Sequence, residues 1–119
     1  MPSKDPRQRL QDIIENCELA RIFTAETSLS AFVSDAKVRY AVERAIMIVS
    51  EAVRRLPDDI KHRHPHIDWA AAAGIGNKLR HDYDSLDSEI LWNTVTKSLP
   101  VLRRAAEEEM RRLAAAGGA

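Results

Sequence analysis

Residues 74–85, GIGNKLRHDYDS, place many ionisable and hydrogen-bonding side chains directly after a run of four alanines. If a helix continues to about residue 81, Asn77 lies one turn before His81 on the same face, and Lys78 flanks that face. Arg80 is rotated by about 100° from His81, toward a neighbouring surface or a partner subunit. Tyr83 follows the expected helix end. An imidazole in such a group can move protons near neutral pH.

These residue types also have a purely structural explanation. His81 could be a satisfied helix cap, and Tyr83 a half-buried anchor with its hydroxyl in water. The residues alone leave the two interpretations open.

Two other features are candidate sites for chemistry. His62, His64 and His66 alternate and could share one side of an extended segment, as in some metal sites. Pro65 and the absence of other ligands at fixed spacing favour solvated loop histidines instead, so we predict no metal site. Cys17 has apolar neighbours at helical spacing and is predicted to be a core residue.

Length and composition limit the possible domain organisation, partners and location of the protein. The chain of 119 residues is long enough for one domain with one core, and we expect a folded core over residues 5–113 and a disordered tail over residues 114–119. Eighteen basic residues balance eighteen acidic ones, so any contact with RNA must be local. No signal-peptide pattern and no apolar run long enough for a bilayer occur, which predicts a cytoplasmic protein without membrane contact.

Apolar residues recur at three- and four-residue intervals throughout the chain, which predicts an all-α fold. Ser30 or Ser34 is expected to cap the second helix, and Asp68 and Asp87 precede later ones. Pro100 is expected to begin or kink the last helix. The predicted helices cover residues 6–25, a segment ending at Leu56, the alanine-rich segment from Trp69 to about residue 81, the segment after Asp87, and the segment from Pro100.

Four or five helices with short connections favour an antiparallel bundle. The second helix is apolar over a wide arc, and Phe32, Trp69 and Trp92 are expected to add bulky surface. We therefore predict a homodimer with two-fold symmetry.

Several segments together resemble the HepT-like branch of the HEPN superfamily. They are DIIENC, AVERAIMIVSEAVRRLP and HIDWAAAAGIGNKLRHDYDSLDSEILWNTVTKSLPVL, and the resemblance spans about residues 7–105. Its most specific elements are Pro65, Ile67 and Trp69 before the helix, the stretch from Asn77 to Tyr83, Asp87, Trp92, and Leu99-Pro100.

The resemblance implies a helical-bundle homodimer with a metal-independent ribonuclease site and no cofactor. The family motif is an arginine followed by a polar residue and, five positions after the arginine, a His-x-Tyr, lining a cleft between the subunits. His81, Tyr83 and Asn77 match this motif, whereas Gly76 stands in place of the arginine. Lys78 or Arg80 could replace that arginine as the phosphate contact.

The resemblance also implies a toxin of a type VII toxin–antitoxin system. Its antitoxin would be an MNT nucleotidyltransferase that transfers AMP to Tyr83, adding an anion beside His81. The alternative is a non-catalytic HEPN dimer that only binds the nucleotidyltransferase, which the missing arginine favours. Glu51, where a family Gly-Glu-Ala segment resembles Ser50-Glu51-Ala52, is either a partner of Arg80 or His81 or a solvent-facing residue.

Overall fold

The structure, a computed structural model, describes residues 5–81 and 87–117, with only the backbone of residues 80 and 81. Every regular element in these ranges is helical, so the all-α prediction is confirmed. The elements are α1 Arg7–Thr24, α2 Leu29–Ser34, α3 Ala36–Arg54, α4 Asp58–Arg63, α5 Trp69–His81, α6 Ser88–Asn93, a π-helical turn Thr94–Ser98, and α7 Leu99–Gly117.

The region between the first two long helices differs from the prediction. It contains the short helix α2, and the caps are Ser28 for α2 and Asp35 for α3, whereas the sequence suggests Ser30 or Ser34. Each cap accepts a hydrogen bond from the backbone amide three residues on, at 3.2 Å. These bonds satisfy amides that a helix start leaves without an intrahelical acceptor.

The core is built around α1 and α3: α1 packs against both α3 and α7, and α3 also packs against α5. Phe32 of α2, expected to add exposed surface, is instead completely buried, and its ring centroid lies 5.4 Å from that of Trp92. Short α2 therefore closes one end of the core. The largest fully buried apolar side chains of the helices other than α2 are Leu10, Ile13, Val42, Ile46, Val49, Val53 and Leu91.

A π-helical turn joins α6 to α7 just before Pro100. Proline has no N–H to donate to the carbonyl four residues earlier, and its ring clashes with that carbonyl in a regular α-helix. The wider π turn accommodates this defect, and α7 begins at Leu99, in agreement with the prediction that Pro100 marks the start or a kink of the last helix.

The last helix extends through residues 114–117, into the segment that we expected to be a disordered tail. Residues 118 and 119 lie outside the described part of the chain. None of the helices within the described ranges combines the length and apolar character needed to cross a bilayer.

Candidate active site

Helix α5 carries the predicted motif at its C-terminal end. The helix runs to His81, as expected, so Asn77 and His81 are four residues apart on one helical face. The side chains of Asn77 and Lys78 are exposed. The side chains of Arg80 and His81, and the whole of Tyr83, lie outside the described residues.

The beginning of α5 is fixed by two polar groups. The Asp68 carboxylate accepts a hydrogen bond from the amide of Ala71 at 3.0 Å, which confirms Asp68 as the cap. The Trp69 indole N–H donates to the backbone carbonyls of Lys61 and His64, each at 3.1 Å. The aromatic residue therefore ties α5 to the segment that precedes it.

In the middle of α5, Gly76 is buried against α3. Its amide donates a hydrogen bond to the Ser50 hydroxyl at 3.0 Å. A Cβ atom at position 76 would lie 2.3 Å from the Ser50 Oγ, closer than real side-chain atoms approach. The departure from the family motif thus occurs where this structure has no room for a side chain.

Glu51 follows Ser50 on α3, beside the contact with α5. Its carboxylate accepts hydrogen bonds from Arg54 at 3.1 Å and Arg55 at 2.7 Å, both one turn further along the chain. The predicted pairing of Glu51 with Arg80 or His81 involves side chains outside the described residues and stays a prediction.

The two helices that meet at Ser50 carry an excess of basic residues, although the chain as a whole has no net charge. Helices α3 and α5 together contain six basic and two acidic residues, whereas the whole chain contains eighteen of each. A local excess of positive charge favours contact with a polyanion even where the net charge is zero. The excess of basic residues therefore lies on α5, which bears the motif, and on the helix that packs against it.

The prediction that the three loop histidines are solvated is correct for two of them and wrong for the third. His62 and His66 are exposed, but His64 is buried, and its Nε2 lies 2.7 Å from the carboxylate of Glu109 on α7. Arg63 donates to the same carboxylate with two nitrogens, at 3.1 and 2.7 Å. The histidine is buried because it completes this interaction between the segment before α5 and the last helix.

Glu109 is 1% exposed, and burial acts to raise the pKa of its carboxyl. Hydrogen bonds and electrostatic interactions with Arg63 and His64 lower this pKa by more than burial raises it. The pKa of the Glu109 carboxyl therefore lies below its ordinary value. His64, Glu108 and Glu109 are near enough to hold a cation together, but Arg63 already occupies both oxygens of Glu109. The cluster is therefore best explained as an ion-pair network.

A groove of about 400 Å³ lies between α5 and the π-helical turn, with α3 beneath it. Aliphatic side chains of α3, α5 and the first turn of α7 form most of its lining, and Ser50 contributes to it from α3. His66, Asp68 and Lys97 add polar groups to the lining. The cleft expected from the resemblance lies between two subunits, so it is a different feature from this groove within one chain.

The all-α fold, with Asn77 and His81 on one face of α5, is consistent with a HEPN-like helical domain. A family model described as "Ribonuclease HepT-like" matches residues 13–109. The chain belongs to this HepT-like ribonuclease family, which confirms the resemblance inferred from the sequence.

Relatives in archaea and bacteria extend this result. A protein of Thermococcus cleftensis named "Probable ribonuclease HepT" is 39% identical over 99 residues, covering 83% of this chain and 90% of that protein. A "Putative RNase" of Methanocaldococcus jannaschii is 36% identical over 100 residues, covering 84% and 83%. Another, of Caldanaerobacter subterraneus, is 32% identical over 105 residues, covering 88% and 94%. No solved structure gives a significant match.

Two polar residues of the buried core, Ser50 and Glu109, were not identified from the sequence. Ser50 is a hydroxyl residue inside the apolar face of α3, between Val49 and Ala52, and that placement is a signal that could have identified it. Glu109 similarly lies seven residues after Leu102 on the buried stripe of α7. A polar residue on a buried helical stripe indicates a specific partner.

Proposed function

We propose that this protein is a metal-independent endoribonuclease that uses His81 for proton transfer. Membership of the HepT-like ribonuclease family carries the proposal, since the matched region includes Asn77 and His81 at the end of α5. The excess of basic residues on α3 and α5 supports RNA as the substrate.

The proposed reaction needs a base, an acid and a phosphate contact. The RNA 2′-oxygen attacks the adjacent phosphorus and loses its proton, while the bond from phosphorus to the 5′-oxygen breaks and that oxygen gains a proton. A histidine can serve as the base or the acid in this exchange. Arg80, or Lys78 in its place, would stabilise the charge on the phosphate together with Asn77.

A homodimer would bring two copies of His81 to one cleft and so provide both an acid and a base. Exposed apolar residues of α1, Leu19, Ile22 and Phe23, support an interface between copies because they lie at helical spacing on one face. Sedimentation at micromolar concentration is expected to give twice the monomer mass. A monomer would exclude the two-copy mechanism.

Purified protein and the His81→Ala variant test the catalytic assignment on a mixed RNA substrate. We expect the variant to cleave roughly 10²–10⁴ times more slowly, because general acid–base catalysis contributes about that much. His62→Ala is the matched control, since His62 is an exposed histidine on α4. Equal rates for the wild type and His81→Ala would refute the assignment.

We further propose that the protein is a cytoplasmic toxin neutralised by an MNT nucleotidyltransferase that transfers AMP to Tyr83. The support is the resemblance of the segment from Asn77 to Tyr83 to the toxin motif, together with the family match. After co-expression with a neighbouring nucleotidyltransferase, intact-mass measurement should show an AMP adduct that Tyr83→Phe abolishes. Tyr40→Phe is the control, because Tyr40 is 68% exposed. An unmodified chain in an inhibited complex would exclude AMP transfer.

One observation favours a second candidate function, a non-catalytic dimer that only binds the nucleotidyltransferase. Gly76 replaces the motif arginine, and loss of one charged donor can remove several kcal/mol of transition-state stabilisation. This candidate predicts the same complex but no RNA cleavage. Induced expression should then leave growth unchanged, whereas the ribonuclease predicts growth arrest that His81→Ala relieves.

A further inference from the structure

The Ser50 hydroxyl forms a hydrogen-bonded connection between α3 and α5. Ser50 is 1% exposed, and its Oγ donates to the carbonyl of Ala73 at 2.7 Å while accepting from the amide of Gly76 at 3.0 Å. Both partners are backbone groups of the turn that leads directly to Asn77. One side chain of α3 therefore contacts the turn of α5 that precedes the motif.

This use of a hydroxyl differs from the pattern elsewhere in the chain. Four other hydroxyl residues on helices donate to the carbonyl four residues earlier in the chain: Thr24, Ser34, Thr94 and Thr96. Such local bonds are the usual choice for serine and threonine inside helices. Ser50 instead bonds to backbone groups 23 and 26 residues away.

The Ser50 partners also belong to the regular hydrogen-bond ladder of α5. In an α-helix the carbonyl of Ala73 accepts from the amide of Asn77, and the amide of Gly76 donates to the carbonyl of Ala72. The Ser50 hydroxyl is thus an additional hydrogen-bond partner for both the Ala73 carbonyl and the Gly76 amide. Insertion of a polar side chain into the hydrogen-bond ladder of a helix affects the direction of the helix axis.

Close packing at the same point restricts position 76. A Cβ atom there would lie 2.3 Å from the Ser50 Oγ and 2.5 Å from the Ser50 Cβ, whereas a Cβ at Gly74 would have no neighbour within 4 Å. The two glycines are two residues apart on one helix and differ in whether Ser50 faces them.

We propose that Ser50 is the positioning residue of the candidate active site. It fixes the Ala73–Asn77 turn against α3, and therefore the place of Asn77 and of the helix backbone that continues to His81. It also excludes any side chain at position 76, so the residue types at 50 and 76 are coupled. The positioning role rests on the proposed ribonuclease function, whereas the coupling does not.

Thermal unfolding of four variants tests the coupling. Gly74→Ala should raise the melting temperature by roughly 2–5 °C, because alanine is the better helix former. Gly76→Ala should lower it by roughly 5–12 °C through overpacking. In a Ser50→Gly background Gly76→Ala should no longer lower it. If Gly76→Ala behaves like Gly74→Ala, or lowers the melting temperature equally in both backgrounds, the coupling is wrong.

Amide hydrogen exchange tests positioning independently of activity. Ser50→Ala removes the hydroxyl but keeps the Cβ, and should accelerate exchange of the Gly76 and Asn77 amides by roughly tenfold. Ser34→Ala is the control, because the Ser34 hydroxyl bonds within its own helix. Exchange rates at Gly76 and Asn77 that are equal in the two variants would overturn the proposal.

Kinetics then separates positioning from stability. Per folded molecule, Ser50→Ala should lower kcat roughly tenfold or more with KM and the pH profile unchanged, because misplaced groups slow only the chemical step. An unchanged kcat with active wild-type enzyme would refute the positioning role. If cleavage does not depend on His81, the proposed function fails, while the unfolding and exchange experiments still decide what Ser50 does.

Discussion

Replacing Glu109 by glutamine should destabilise the fold by disrupting its buried ion-pair network. The carboxylate accepts two hydrogen bonds from Arg63 and one from His64, and it is 1% exposed. Hydrogen bonds to a charged group contribute about 1.5–3 kcal/mol each. Glutamine keeps one acceptor oxygen, and the Arg63 side chain, 34% exposed, can be rehydrated. We therefore expect a loss of about 2 kcal/mol, or roughly 8 °C in melting temperature.

The neighbouring Glu108 provides the control for this experiment. Its side chain is 59% exposed, so Glu108→Gln should change stability by less than about 0.5 kcal/mol. Urea and thermal unfolding followed by circular dichroism at pH 7 measure both variants. Equal losses for the two substitutions would refute the argument that burial makes the Glu109 interactions strong.

The difference in stability between the wild type and Glu109→Gln should depend on pH because the pKa of Glu109 is lowered. A carboxyl with a folded-state pKa below its ordinary value of 4.5 contributes stability that is fully present above pH 4.5. That contribution disappears as pH falls through the folded-state pKa, because the unfolded chain binds the proton more readily. The stability gap between the wild type and Glu109→Gln should therefore narrow below about pH 4.5. Arg63, His64 and Arg112 lie within 4 Å of this carboxylate. Asp59 and Glu108 lie near Arg63 and His64 in turn, and all five residues are present in both proteins.

Two further predictions concern buried groups. Burial raises the pKa of the Cys17 thiol to about 12, so an aromatic disulfide reagent at about pH 8 should modify it only after unfolding in urea; rapid reaction of the native protein would contradict this. Trp69→Phe should lower the melting temperature by roughly 4–8 °C, because it removes the N–H that donates to two carbonyls. Trp92→Phe is its aromatic control, and equal effects of the two substitutions would argue against the indole hydrogen bonds.

The long helices could be predicted from the sequence because their signals are local. Apolar spacing and the caps Asp68 and Asp87 define α1, α3, α5 and the restart at α6 within a few residues. Short α2 and α4 have too few residues for a helical period to be recognised. Ser28 and Asp35 do not stand out as caps because several nearby polar residues have similar capping ability.

The contacts around the site could not be predicted because they join distant parts of the chain. Glu109 meets His64 across 45 residues, and Ser50 meets Gly76 across 26. Helical periodicity assigns a residue to a face but does not say which residue lies opposite it. Gly76 therefore resembles a lost arginine in the sequence, whereas the structure adds a steric reason for the glycine.

The position of α5 depends on specific polar contacts as well as on apolar packing against α3. Among its residues with described side chains, Leu79 is buried, which contributes about 1.5–3 kcal/mol, and Trp69, Ala72, Ala73 and Ile75 pack partly buried against the core. The helix is held near its start by the Trp69 indole and near its middle by the Ser50 hydroxyl. A displacement of about 1 Å can slow a reaction about 10²-fold. If His81 is catalytic, as proposed, these two contacts are therefore expected to influence the reaction rate through the position of α5. Substitutions far from His81 in sequence are thus expected to affect activity through the direction of one helix.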